Sequence, residues 1–172
     1  MPGRQLVLSR EQIRERVEQL AARITDDYTG TEPVLIGVLN GAFIFLADLV
    51  RSMAIPHHID FIRVASYGHG SDSSGTIRLA KDVEFDLKRR HVLLVEDIVD
   101  TGTTLAWLRE TFAEKLAASV RICALIDKKE RRQTPVAIDY TGFTLKEGFL
   151  VGYGLDYAEQ YRYLPEIYSL QF

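Results

Sequence analysis

Cysteine is almost missing from this chain of 172 residues: Cys123 stands alone, so no disulfide can form within it. Set in the apolar run Val120-Arg121-Ile122-Cys123-Ala124-Leu125-Ile126, it reads as a small core residue and not as a nucleophile. An excess of positive charge is missing too. The 21 Lys and Arg stand against 24 Asp and Glu, a net charge of −3 that speaks against nucleic acid or an acidic membrane surface as partner. Apolar runs of membrane-span length are absent, and Met1-Pro2-Gly3-Arg4-Gln5 lacks the apolar core of a signal peptide, so the expected compartment is the cytoplasm. The histidines build no zinc spacing: His57 and His58 are adjacent, His69 lies in a polar stretch, and His91 opens an apolar run without a His-Glu-x-x-His or cysteine pair. Dinucleotide-binding Gly-x-Gly-x-x-Gly, Walker A and Gly-x-Ser-x-Gly patterns are missing as well. With no internal repeat and no linker, residues 1–172 read as one domain, large enough to bury a core without staples.

What is present centres on residues 92–105, Val-Leu-Leu-Val-Glu-Asp-Ile-Val-Asp-Thr-Gly-Thr-Thr-Leu. Four apolar residues of strand character end at Glu96-Asp97, where a ligand crevice is expected beyond the carboxyl end of a parallel strand. Thr101, Gly102, Thr103 and Thr104 offer hydroxyls and a closely curling backbone, and residues 105–116 read as a helix whose N-terminus attracts phosphate. Carboxylates would repel a bare phosphate, so Glu96 and Asp97 suit a ligand that also carries a vicinal diol or Mg²⁺. Asp100, closer to the phosphate turn, is placed to exchange a proton with a base. Together they suggest a ribose 5-phosphate bearing a leaving group.

Ser9 with Gln12 is a capping box, and Ile13, Val17, Leu20, Ala21 and Ile24 follow helical spacing, which predicts a helix from about Arg10 to Tyr28. After Gly30 and Pro33, the run 34–39 predicts a strand buried on both faces; 43–50 predicts a helix and 59–67 a strand, a βαβ pattern that implies a parallel sheet. Residues 68–75, Gly-His-Gly-Ser-Asp-Ser-Ser-Gly, predict a mobile loop, either a connector or a lid. Lys88-Arg89-Arg90 reads as a solvated turn. Strand 120–126 leads into Asp127-Lys128-Lys129, where Lys128 is either solvated or a donor to a carbonyl of a bound ring. In 148–157, Phe149, Leu150 and Val151 suit a core, but Gly152 and Gly154 let the backbone approach something closely, Phe149 suits stacking on a heterocycle, and Asp156 suits a cation. Arg162 fits either a phosphate cluster or a surface ion pair.

From about Pro33 to Pro165 the chain resembles the type I phosphoribosyltransferases, and Val-Glu-Asp-Ile-Val-Asp-Thr-Gly at 95–102 resembles their hypoxanthine-guanine branch. The resemblance implies an α/β fold with a central parallel sheet flanked by helices, a core of about 33–145, and a small hood from the N-terminal segment and about 146–172. It implies purine salvage: hypoxanthine or guanine joined to 5-phosphoribosyl 1-pyrophosphate, giving IMP or GMP and pyrophosphate. Glu96 and Asp97 would bind the ribose hydroxyls, Thr101 to Thr104 the 5-phosphate, and Asn40, Gly41 and Arg162 the pyrophosphate. Asp100 would transfer the proton, Lys128 would read the purine, Phe149 would stack on it and Leu150 would meet it through its backbone. Ser66 and Tyr67 would start the lid, and Asp156 with Glu96 and Asp97 would bind Mg²⁺. A cis peptide is expected at Asn40, which stands where many relatives carry lysine. The partners implied are the two small-molecule substrates and a second copy or more of the chain, as a homodimer or homotetramer. A phosphoribosyl pyrophosphate-sensing regulatory protein of the same fold is the alternative; it would need a basic face to act on nucleic acid.

Overall fold

The computed structural model describes residues 3–67 and 76–172, with Ser66 and Tyr67 described by their backbone alone. In chain order the elements are β1 (Gly3–Leu8), α1 (Arg10–Asp27), β2 (Val34–Leu39), α2 (Phe43–Ser52), β3 (His58–Tyr67), β4 (Thr76–Lys81), β5 (His91–Val99), α3 (Thr103–Glu114), β6 (Ser119–Lys128), β7 (Tyr140–Leu145), β8 (Phe149–Val151) and β9 (Ile167–Gln171). The capping box forms: the Gln12 amide donates to Ser9 Oγ at 3.2 Å and the Ser9 amide to Gln12 Oε1 at 2.8 Å, satisfying two amides at the start of α1. Ile13, Val17, Leu20, Ala21 and Ile24 form its buried stripe.

Six strands run in the order β4-β3-β2-β5-β6-β7. The pairs β2–β3, β2–β5, β5–β6 and β6–β7 are parallel, while β4 is an antiparallel edge on β3. The central strands are buried on both sides, and successive side chains feed opposite cores. Leu93 and Val95 of β5 join α1 and α2 on one face; Val92 and Leu94 join Leu105, Leu108 and Phe112 of α3 on the other. A second, antiparallel sheet, β1-β9-β8, packs Leu150 and Ile167 into the first of these cores.

Three differences from the sequence reading matter for the site. Strand β5 does not stop at Glu96: its ladder with β6 continues through Glu96↔Ala124, Ile98↔Ile126 and Val99↔Asp127. Helix α3 begins at Thr103, two residues earlier than expected, with Gly102 as its N-cap. Strand β4 lies outside the parallel pattern, so the sheet is mostly parallel. The loop read as connector or lid, 68–75, lies outside the described residues.

Candidate active site

The parallel strands bring their carboxyl ends to one edge, and the turns after β2, β5 and β6 meet there. At the carboxyl end of β5 and the turn that follows, Glu96, Ile98, Val99, Asp100, Thr101, Gly102, Thr104 and Leu105 line a cavity of about 160 Å³. Helix α3 opens it with Gly102 as an N-cap that offers no side chain; Thr103 N makes a long bond to Thr101 Oγ1 at 3.4 Å, and such an N-terminal end favours an anion. The turn is fixed from outside: Thr101 O accepts from the amides of Gln133 at 2.9 Å and Thr134 at 3.0 Å, and Thr103 Oγ1 lies 2.9 Å from Thr134 Oγ1.

Glu96 and Asp97 sit on the strand itself, Asp97 buried and Glu96 half-buried. Burial pushes the Glu96 carboxyl well above the usual range, and the neighbouring Asp97 charge adds to it. Asp97 is also raised by burial, against its bond from the Ile98 amide at 2.7 Å and the positive field of Arg162. Asp97 meets the turn after β2 at Gly41, where a β-carbon would lie 1.9 Å from Asp97 Oδ2. No larger residue fits there without moving that carboxylate. The Leu39–Asn40 peptide is cis, as the resemblance implied.

Asp100 is the most distinctive group. Its Oδ1 is buried and has no hydrogen-bond partner among the described residues, although Lys128 Nζ stands 3.9 Å away. A buried acceptor is rarely left unbonded, so this one is suited to a ligand proton. Lys128 is itself only 7% exposed, which overturns its reading as a solvated lysine. Its ammonium donates to Gly148 O at 3.1 Å, immediately before the exposed ring of Phe149. Phe149 contacts Tyr157 and Phe172 edge-on, at ring-centroid distances of 5.4 and 5.8 Å. Leu150 is buried beneath it.

Arg162 joins the two readings left open for it. It pairs with Asp156 Oδ1 at 2.9 Å and donates to Gly154 O at 2.7 Å. Gly154, at φ +98°, approaches so closely that a β-carbon would lie 2.1 Å from Gly41 O. Arg162, Asp156, Gly41 and Asp97 therefore belong to one neighbourhood. Asp156 does not join Glu96 and Asp97 in a metal cluster: among the described residues no three His, Cys, Asp or Glu side chains group in that way. A cavity of about 400 Å³ lies between α1, α2 and residues 153–165, and none of the candidate site residues named from the sequence lines it.

Two arginines escaped the sequence reading. Arg63 of β3 donates to Asn40 Oδ1 at 2.6 Å, bringing a guanidinium to the turn where Asn40 itself has no charge. Arg132, in the loop after β6, donates to the carbonyls of Asp100 at 3.0 Å, Val99 at 3.4 Å and Lys128 at 3.3 Å, and pairs with buried Asp127. Nothing in local composition marks either one; the parallel register Leu39↔Arg63 is what brings the first to Asn40.

The phosphoribosyl transferase domain model matches residues 7–158. The chain is 48% identical to the hypoxanthine-guanine phosphoribosyltransferase of Streptococcus pneumoniae over 164 residues, 95% of this chain and 91% of that protein. This chain belongs to the phosphoribosyltransferase family. It is also 39% identical to the hypoxanthine phosphoribosyltransferase of Escherichia coli, over 95% of this chain and 93% of that protein. The crystal structure of a Staphylococcus aureus hypoxanthine phosphoribosyltransferase superposes with a TM-score of 0.93 at 37% identity, covering 97% of this chain and 91% of that one. This phosphoribosyltransferase thus lies in the hypoxanthine-guanine branch of pentosyl-transferring enzymes, and the sensor alternative gains no support from these relatives. No helix among its described residues is long and apolar enough to cross a membrane.

Proposed function

We propose that this phosphoribosyltransferase joins hypoxanthine or guanine to 5-phosphoribosyl 1-pyrophosphate, releasing pyrophosphate and forming IMP or GMP. The observation that carries the reading is the unbonded, buried Asp100 Oδ1 beside Lys128. An acceptor next to an ammonium suits a ring that offers an N–H and a carbonyl oxygen together, as a 6-oxopurine does. Phe149 stacks on the ring and the Leu150 backbone meets its edge. The turn Thr101, Gly102, Thr103, Thr104 holds the 5-phosphate at the start of α3, while Glu96 and Asp97 accept from the ribose hydroxyls. Asn40, Gly41 and Arg162 face the pyrophosphate, and Ser66 and Tyr67 are the residues from which a lid would start. As the bond from C1 of the ribose to pyrophosphate breaks, the purine nitrogen forms its bond to C1 and the ring proton passes to Asp100. Excluding water protects the cationic sugar centre from hydrolysis.

The carboxylates fit Mg²⁺ in one particular way. Glu96 and Asp97 are adjacent, oxygen-only donors whose raised proton affinity a cation would relieve, while Asp156 shares one oxygen with Arg162. That set suits a hard cation carried largely by substrate phosphates and its own waters, which Asp156 on one side and Glu96 and Asp97 on the other would meet separately and not as one preformed cage. When bound, Mg²⁺ would supply neutralisation of charge on the pyrophosphate leaving group.

We further assign residues 1–172 to one working domain, a core of about 33–145 under a hood of the N-terminal segment and about 146–172. The Lys128–Gly148 bond across that division supports it. We infer assembly as a homodimer or homotetramer from the family resemblance, and the lone free Cys123 supports a cytoplasmic setting. Pyrophosphate release measured with hypoxanthine, guanine, xanthine and adenine, each with 5-phosphoribosyl 1-pyrophosphate and Mg²⁺, tests the activity. Release with hypoxanthine and guanine but not adenine is expected; release with no 6-oxopurine overturns the reading.

A further inference from the structure

The turn that bears Gly154 is unusual in its backbone. Gly152, Tyr153 and Gly154 have φ of +99°, +52° and +98°, and a side chain as large as tyrosine rarely occupies that region. Its amides are all engaged: Gly152 N donates to Leu155 O at 3.0 Å, Tyr153 N to Leu164 O at 2.8 Å and Gly154 N to Arg162 O at 3.0 Å. The Tyr153 ring is buried, 6% exposed, and its hydroxyl donates to Asp48 Oδ2 on α2. The other Asp48 oxygen pairs with Arg51 on the same helix. Burial first, then Asp48, pushes the Tyr153 hydroxyl far above its ordinary value, so it stays a donor throughout the working pH range.

Both ends of this contact lead to the leaving-group side of the crevice. Helix α2 begins at Phe43, directly after the Asn40-Gly41-Ala42 turn, and Leu46 N donates to Ala42 O at 2.9 Å, tying turn to helix. One residue beyond Tyr153, Gly154 packs on Gly41 O and accepts from Arg162 at 2.7 Å. Bonding Tyr153 to Asp48 therefore fixes the separation between the hood turn and α2, and with it the approach of Arg162 to Gly41.

We propose that Tyr153 and Asp48 are a positioning pair for the pyrophosphate subsite: neither touches substrate, but together they hold Arg162 and Gly41 at the spacing that binds pyrophosphate. The inference rests on the proposed reaction and adds residues to it. It makes a split that a general loss of stability does not make. Removing the hydroxyl disturbs the pyrophosphate subsite and leaves the purine contacts of Lys128 and Phe149, which depend on β6 and β8, in place.

Tyr153→Phe in the full chain is the test, with Tyr168→Phe as comparison, because Tyr168 also donates to a carboxylate in the hood, that of Glu166, whose backbone borders Gly152 but whose bond makes no link to α2. Steady-state constants are measured in the forward direction for 5-phosphoribosyl 1-pyrophosphate and hypoxanthine, and in reverse for pyrophosphate and IMP. Loss of one hydrogen bond to a charged group is expected to raise KM for 5-phosphoribosyl 1-pyrophosphate and for pyrophosphate about tenfold in Tyr153→Phe. KM for hypoxanthine should change less than about twofold, a difference under half a kcal/mol. Asp48→Asn, which keeps an acceptor oxygen, should fall between wild type and Tyr153→Phe. Tyr168→Phe should match wild type. Equal rises in all four KM values, or a Tyr153→Phe enzyme identical to wild type, overturn the positioning pair. An inactive wild type would instead overturn the proposed reaction itself.

Discussion

Replacing Arg132 with methionine isolates a contact that joins two parts of the active site. Its guanidinium holds the carbonyls of Val99 and Asp100 at the end of β5 and of Lys128 at the end of β6, and it pairs with Asp127, which is 7% exposed. Methionine keeps most of the stem's volume but leaves that carboxylate with Lys129 alone, at 3.8 Å and largely in solvent. Stranding one member of a buried ion pair costs about 3–5 kcal/mol, and the residual Lys129 contact and partial exposure of Arg132 argue for about 3. For a chain of this size that lowers Tm by about 6–12 °C. Because the cost comes from an unpaired charge, Asp127→Asn added to Arg132→Met should restore about half of the loss, although it removes a further native group. Thermal unfolding of the wild type, Arg132→Met and the double variant measures this, and kcat/KM on the same samples should follow, since Asp100 and Lys128 lose their common anchor. An Arg132→Met protein melting within about 2 °C of wild type, less than 1 kcal/mol, would refute the reasoning. A double variant melting below the single one would do so as well.

Asp100→Asn keeps the shape of the side chain but cannot take up a proton, so kcat should fall by about 10²- to 10⁴-fold while KM for 5-phosphoribosyl 1-pyrophosphate holds; steady-state kinetics check both. In Lys128→Ala, kcat/KM should fall far more for hypoxanthine and guanine than for adenine, whereas Phe149→Ala should weaken all three together by about 1–3 kcal/mol. Chelation should abolish activity and Mg²⁺ restore it, and a Mg²⁺ titration of Asp156→Ala should reach half-maximal rate at a higher concentration than wild type. Asp60 is buried, which alone would raise its pKa, but the amides of Glu84, Phe61 and Phe85 and the Lys81 charge lower it on balance. Its contribution is therefore complete above the unfolded carboxylate value near pH 4 and is lost as pH falls further. In denaturant melts, Asp60→Asn should lower stability at pH 7 and flatten the decline below about pH 4.

The elements that could be read from the chain are those with a single physical cause. The α1 stripe and its capping box follow from helical spacing, and β2 follows from an unbroken apolar run, so both were legible to within a residue at most boundaries. β4 was not: Thr-Ile-Arg-Leu-Ala-Lys alternates weakly, with side chains half-buried at best, as suits an edge strand. The reading of β5 stopped at Glu96 because a carboxylate ends an apolar run, but the hydrogen-bond ladder is indifferent to side-chain polarity and continues to Val99. At the candidate site, the local string 96–104 was legible because its groups are neighbours in sequence. Arg63 and Arg132 were not, since their importance comes from Asn40 and Asp127 and from carbonyls on other strands. Lys128 shows the same limit in reverse: composition favoured a solvated lysine, and only the hood above it accounts for its burial.

The hood has a consequence for how an active molecule comes into being. Its sheet needs β1 and β9, which pair from Gly3↔Gln171 to Leu8↔Ile167, so the earliest and latest strands of the fold must find each other. Within the parallel sheet, by contrast, the pairs β2–β3, β5–β6 and β6–β7 join strands consecutive in the chain, and even β2–β5, at Leu35↔Leu93, closes a shorter loop than β1 with β9 does. Closing so long a loop is the slow part of folding. During synthesis the phosphate turn after β5 exists well before β9 has been made, whereas Phe149, held on β8 by its pairing with β9, is seated only afterwards. On the proposed assignment of these residues, the sugar-phosphate turn would be in place before the base-stacking ring, and pairing of β9 would be the step that makes the transferase competent.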